Sequence, residues 1–176
     1  MGIYLNPENV DFQEALNSKI YVDKSELIQY TNSVLRTTQK YICVSRPRRF
    51  GKSMAANMLT AYYSRGCNSR GLFQGLKIAT HSDFEKYLNQ YNVIHLNMRD
   101  YLTESENMKE LIQFVEDDLL DELQQEFSDI RMPRRKTLVK VLEQAFVQYK
   151  IPFVFIIDEW DCIFRVHKSD AASQKE

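Results

Sequence analysis

The stretch SRPRRFGKSM, residues 45–54, decides how the rest of this chain is read. It closes on Gly51-Lys52-Ser53, the end of the phosphate-binding pattern G-x-x-x-x-G-K-[ST], yet Arg46 stands where the first glycine belongs. The flanks argue that the loop is real. Before it, KYICVS is a short β-rich run that reads as a buried strand over residues 41–45. After it, KSMAANMLTAYYS places Met54, Ala55, Met58, Leu59 and Tyr62 on one helical face. Strand, loop and helix in that order aim the loop N–H groups and the helix N-terminus at one point, where the helix dipole adds positive potential.

In such a loop each residue type has a task. The backbone of Arg49, Phe50, Gly51, Lys52, Ser53 and Met54 would cradle phosphate, with Gly51 permitting close approach. Lys52 supplies a point charge at the outer phosphates, and Ser53 offers a hydroxyl to Mg2+. Arg46 cannot take a glycine-like positive φ cheaply. Pro47 is expected to set the entrance turn by its fixed φ instead, so the entrance follows another path while binding survives. Arg48 and Arg49 read either as solvated loop charges or as charge supplied to phosphate or to a partner's acidic surface.

The second half of the site is expected from PFVFIIDEWD. Residues 153–157 form an unbroken apolar run, which suits a strand of a parallel sheet buried on both faces. The run ends in Asp158-Glu159, a Walker B arrangement at the carboxyl edge of the sheet, where α/β proteins bind ligands. Asp158 would hold Mg2+, directly or through water, and Glu159 would polarise the attacking water.

Ahead of the loop, residues 7–35 read as one or two short helices broken at KIYVDKS, where Asp23 or Ser25 could cap a helix. RGCNSRGLFQG reads as a glycine-punctuated loop, DFEKYLNQY as a short helix and NVIHLNM as a strand. A long helix is expected over residues 106–127, and another after Pro133. Alternating strands and helices mean α/β, here a P-loop NTPase fold with a parallel sheet flanked by helices. The expected organisation is an N-terminal helical segment (1–36), a core (37–166) and a polar tail (167–176).

Bulk composition narrows the classes. The chain has 176 residues, 44% hydrophobic and 27% charged, with net charge -1, so nothing pulls it globally toward nucleic acid or acidic membranes. No apolar run has transmembrane length and no signal peptide is recognisable, so no membrane role and a cytoplasmic location are expected. Cys43, Cys67 and Cys162 are scattered, without a CxxC pair, and read as reduced thiols rather than a zinc site or a catalytic thiol.

YVDKS, SRPRRFGKSM, GLFQGLKI and FIIDEWD together resemble the AAA-ATPase-like proteins of bacteria. The resemblance runs from about Ile20 to Asp161, and it makes Arg46 the expected residue. It implies Lys52 and Ser53 at phosphate and Mg2+, and Asp158 and Glu159 in Walker B roles. It also implies a C-terminal region similar to PD-(D/E)XK nucleases, of which nothing is visible here; the chain reads as truncated after the Walker B strand, and nucleic acid concerns only a full-length parent. In the class that this family resembles, a later strand separates the Walker A and Walker B strands. Without that strand, marginal stability, self-association through the gap, or closure with the two strands side by side is expected.

The function expected is an ATP-binding module with Mg2+-dependent hydrolysis in the full-length parent, turnover by this chain alone being slow. ATP is favoured over GTP because no N/T-K-x-D guanine reader is present. The alternatives are a nucleotide-gated interaction module without turnover and a small-molecule kinase. Three further candidates have both a functional and an ordinary reading. Tyr21 stacks on a base or packs in the core. Asp100 orients Mg2+-bound water or ends a turn. The basic run RMPRRKT, residues 131–137, touches phosphates or is solvated.

Overall fold

The computed structural model describes residues 2–47, 49–130 and 133–166. Two parallel strands meet at its centre. β1 (Asn92–Asn97) pairs with β2 (Phe153–Asp158) in a register running from Asn92↔Phe153 to Asn97↔Asp158. Because side chains alternate across a strand, the pair serves two cores. Val93, Val154 and Ile156 face one built from Phe12, Met58, Tyr62 and Phe73, while Ile94, Leu96 and Phe153 face another built from Leu5, Leu111, Leu119 and Leu123. The chain is thus mixed α/β, with a small parallel sheet flanked by helices.

The first helical layer holds α1 (Val10–Leu16), α2 (Glu26–Val34), α3 (Lys52–Tyr63), α4 (Arg70–Phe73), a 3-10 turn (Lys77–Thr80) and α5 (Phe84–Tyr87). α3 packs on both strands, as its apolar pattern anticipates. Tyr62 meets Tyr63 and Phe73 edge-on at 4.9 and 5.5 Å, and Phe73 stacks on Phe12 at 5.0 Å. The second layer holds α6 (Met98–Glu104), α7 (Met108–Glu126) and α8 (Leu138–Tyr149), which carry the chain from β1 to β2; α9 (Cys162–Val166) follows β2.

The two edges of the sheet differ. The N-terminal residues lie along β1: Asn6 N–H donates to Val93 O at 2.7 Å, and His95 N–H to Tyr4 O at 2.9 Å. Glu122 of α7 fastens this strap, its carboxylate accepting from the N–H groups of Ile3 (2.6 Å), Tyr4 (3.0 Å) and Leu5 (2.6 Å). The edge of β2 opposite β1 carries no strand among the described residues.

Two sequence expectations are corrected here. Residues 41–45 are not a buried strand. They run exposed, Tyr41 at 84%, with Cys43 exposed as well, and they join no ladder. β-propensity reports fitness for a half-buried pleated surface, not a partner to pair with, and neither β2 nor any other described edge receives this segment. Closure with the two strands side by side therefore does not occur. β2 itself forms as read, but it is not buried on both faces: the second layer covers Phe153 and leaves Phe155 and Ile157 about half exposed, at 49% and 48%. A smaller difference lies in the glycine-punctuated loop, which contains the one-turn α4.

Candidate active site

The loop before α3 is shaped by two left-handed residues, Arg49 (φ 69) and Gly51 (φ 75), on either side of Phe50. Gly51 is the N-cap of α3, its carbonyl accepting from Ala55 N–H at 3.1 Å, so Lys52 opens the helix. Two ammonium groups grip loop carbonyls. Lys52 Nζ donates to Arg46 O at 3.0 Å, and Lys24 Nζ donates to Phe50 O at 2.5 Å. The contact at Arg46 is to its backbone, so its side chain is not needed for it. Arg48 lies outside the described residues.

Lys24 is itself placed by neighbours distant in sequence. Asp23 accepts from Ser25 N–H at 2.8 Å and from Lys77 N–H at 2.9 Å, and Ser25 Oγ accepts from Ile78 N–H at 3.1 Å. Burial alone would raise the Asp23 carboxyl; the N–H donors of Lys77 and Ser25 outweigh it and hold the group below its ordinary 3.8. Ser25 stands at the N-cap of α2 without a side-chain cap bond, because its hydroxyl is spent on the 3-10 turn. YVDKS, GLFQGLKI and the loop are therefore one hydrogen-bonded unit.

β2 delivers the acidic pair. Asp158 Oδ1 accepts from Glu159 N–H at 2.9 Å, and Glu159 turns left-handed (φ 51), a conformation costing a non-glycine residue about 1–2 kcal/mol. The turn brings Glu159 to the wall of a cavity of about 590 Å³ whose other side is residues 49–54. Arg49, Phe50, Gly51, Lys52, Ser53, Met54 and Glu159 are thus brought together. Asp158 is not on that wall; its carboxylate is turned to the Glu159 amide. Sequence reasoning missed the third side, where α6 contributes Arg99, Leu102 and Thr103, and it missed Cys162 of α9.

Other candidates fall elsewhere. Tyr21 packs edge-on against Phe12 at 6.3 Å, and burial, then Asp23, pushes its phenol up to about 12, so it belongs to the first core. Asp100 accepts from Asn97 Nδ2 at 3.1 Å and does not line the cavity. In the run 131–137, Arg131 and Met132 lie outside the described residues, and Arg134, Arg135 and Lys136 are exposed. Behind the sheet end, burial holds His95 below its ordinary 6.5 although Asp158 and Asp11 pull the other way, and its Nδ1 lies 3.1 Å from Thr60 Oγ1.

The donor set suits a nucleotide phosphate chain: loop N–H groups at the start of a 12-residue helix, the Lys52 ammonium and the guanidinium groups of Arg49 and Arg99. For Mg2+ the set is sparse, with a Ser53 hydroxyl and a carboxylate at 158. Among the described residues no group of three His, Cys, Asp or Glu gathers for a metal. Mg2+ commonly uses one or two protein ligands and takes the rest from phosphate and water, so the set fits.

Across residues 10–175 the sequence matches a family model described as "Predicted AAA-ATPase". The chain belongs to this AAA-ATPase-like family. No curated protein and no solved structure matches it. ATP use, at the coarse level of the family's description, agrees with a phosphate-shaped loop facing an acidic strand end. The match takes in every string on which the AAA-ATPase-like resemblance rests, YVDKS through FIIDEWD. Among the described residues of this AAA-ATPase-like chain, no helix is long and apolar enough to cross a membrane.

Proposed function

We propose that this chain is a P-loop module that binds ATP with Mg2+ and serves in its hydrolysis. The observation carrying this reading is the cavity that sets residues 49–54 against Glu159. In it, loop N–H groups and Lys52 neutralise phosphate oxygens, which needs Lys52 Nζ to leave Arg46 O, a short rotation for a flexible side chain. The Ser53 hydroxyl and, once it turns from the Glu159 amide, the Asp158 carboxylate would hold Mg2+, which would supply charge to the outer phosphate oxygens. Glu159 orients a water for in-line attack and accepts its proton, while Lys52 offsets the charge developing between the outer phosphates.

One feature favours a second reading, a nucleotide-gated module with no significant turnover. Asp158 spends an oxygen on the Glu159 amide, and Glu159 stands in a left-handed turn, so the acidic pair must rearrange before both members act. Calorimetric titration with MgATP tests binding: Lys52→Ala should abolish tight association, and equal affinities in the two proteins would remove the P-loop reading. Steady-state turnover of Glu159→Gln separates the two functions, because a rate unchanged by that substitution selects the gated module.

A further inference from the structure

The sheet register makes a prediction about α6. Asn97 is the partner of Asp158, so the residues just beyond each of them emerge side by side at the carboxyl edge. On β2 that residue is Glu159; on β1 the chain passes directly into α6. Its first turn is fixed by Asn97, whose Oδ1 accepts from Arg99 N–H at 3.2 Å while its Nδ2 donates to Asp100 at 3.1 Å. Asp100 is thereby held by Asn97 and does not line the cavity, and Arg99 becomes the α6 cation on the wall of the cavity that Lys52, Ser53 and Glu159 also line. The Arg99 side chain makes no ion pair among the described residues, and the residue is exposed.

A phosphate chain cradled by the loop has its inner groups at the α3 N-terminus and extends outward past Lys52, toward Glu159. A cation that α6 brings to the same cavity, from the strand end paired with that of Glu159, is placed to meet its last phosphate. A guanidinium there has a planar fork of donors matched to phosphate oxygens. We infer that Arg99 reads the terminal phosphate of the bound nucleotide and is the residue that distinguishes a nucleoside triphosphate from a diphosphate. This rests on the reading of the cavity as a nucleotide site. It adds a cation supplied by the chain's own α6, at the position where phosphoryl-transfer enzymes place charge against the group being transferred.

The test is calorimetric titration of the full chain with Mg2+ and either ADP or a non-hydrolysable ATP analogue, for wild type, Arg99→Ala, Arg99→Lys and Lys52→Ala. Circular dichroism and a urea midpoint check each variant's fold. Arg99→Ala should weaken the triphosphate analogue by about tenfold or more, equivalent to about 1.4 kcal/mol, and leave ADP nearly unchanged. Arg99→Lys should recover part of the loss, since it restores the charge without the fork. Lys52→Ala should weaken both ligands. If Lys52→Ala weakens both but Arg99→Ala leaves the triphosphate-to-diphosphate ratio as in wild type, the role of Arg99 is overturned and the site stands. If Lys52→Ala binds both ligands like wild type, the site itself is overturned and the inference falls with it.

Discussion

Gly51→Ala puts the loop geometry at risk in two separable ways. The first is conformational: at φ 75 an alanine costs about 1–2 kcal/mol relative to glycine. The second is steric and passes through another residue. A Cβ at position 51 would stand 2.8 Å from Lys24 Nζ, so the ammonium must retreat and release Phe50 O. That bond is charge-assisted but exposed, so its loss costs about 1 kcal/mol. Gly51→Ala should therefore cost about 2–3 kcal/mol, and Lys24→Met alone about 1 kcal/mol. The double variant should cost no more than Gly51→Ala, because the alanine has already broken the bond that the methionine removes. The sum of the single effects then exceeds the double by about 1 kcal/mol. Equilibrium urea unfolding of the four proteins without nucleotide measures this. Amide exchange at Ala55, which bonds Gly51 O, reports the loop locally. Strictly additive effects would refute the claim that Lys24 grips the loop, and a negligible effect of Gly51→Ala would refute the left-handed turn.

Two further outcomes are expected. His95 is held below 6.5 when folded, so the unfolded chain binds more protons near that pH; stability should be complete above about pH 6.5 and decline as pH falls from there toward the folded value, and His95→Gln should flatten this slope in urea midpoints measured from about pH 7.5 to 5. Glu122→Gln replaces a carboxylate that accepts three backbone N–H groups with an amide oxygen, and should cost about 1–3 kcal/mol while opening the N-terminus to proteolysis; a change under about 0.5 kcal/mol would show that the strap is held without it.

The local parts of this protein were legible from sequence. Gly51 at a helix start, the 3-4 spacing that follows it, and an apolar run ending in Asp158-Glu159 are each encoded within a dozen residues, and α3 and β2 form where those signals lie. Residues 41–45 show the limit of that kind of reading: Tyr41, Ile42 and Val44 have strand-like composition, but a strand exists only where an edge receives it. Arg99 illustrates another limit. It reaches the cavity because β1 and β2 pair in one particular register across a long crossover, whereas the sequence drew attention to Asp100, one residue on and about 100° around the helix. Lys24 could be seen as part of a motif, but its bond to Phe50 spans 26 residues and depends on Asp23 and Ser25 docking against Lys77 and Ile78.

The N-terminal strap has a consequence for the order in which the protein assembles during synthesis. Residues 3–5 leave the ribosome well before their partners, His95 on β1 and a carboxylate at position 122, the latter 117–119 residues further on. At about 5–20 residues per second this strap waits roughly 6–24 s for Glu122 to be made. Meanwhile α1, α2 and α3 have their contacts available and can gather, because those contacts are more local. The strap, made before all of these elements, is then the last of them to be seated, and until it is, the outer edge of β1 is an open template for other strands. Gly2→Ala would act on that final step, since a methyl at Gly2 would stand 2.2 Å from Glu122 Oε2.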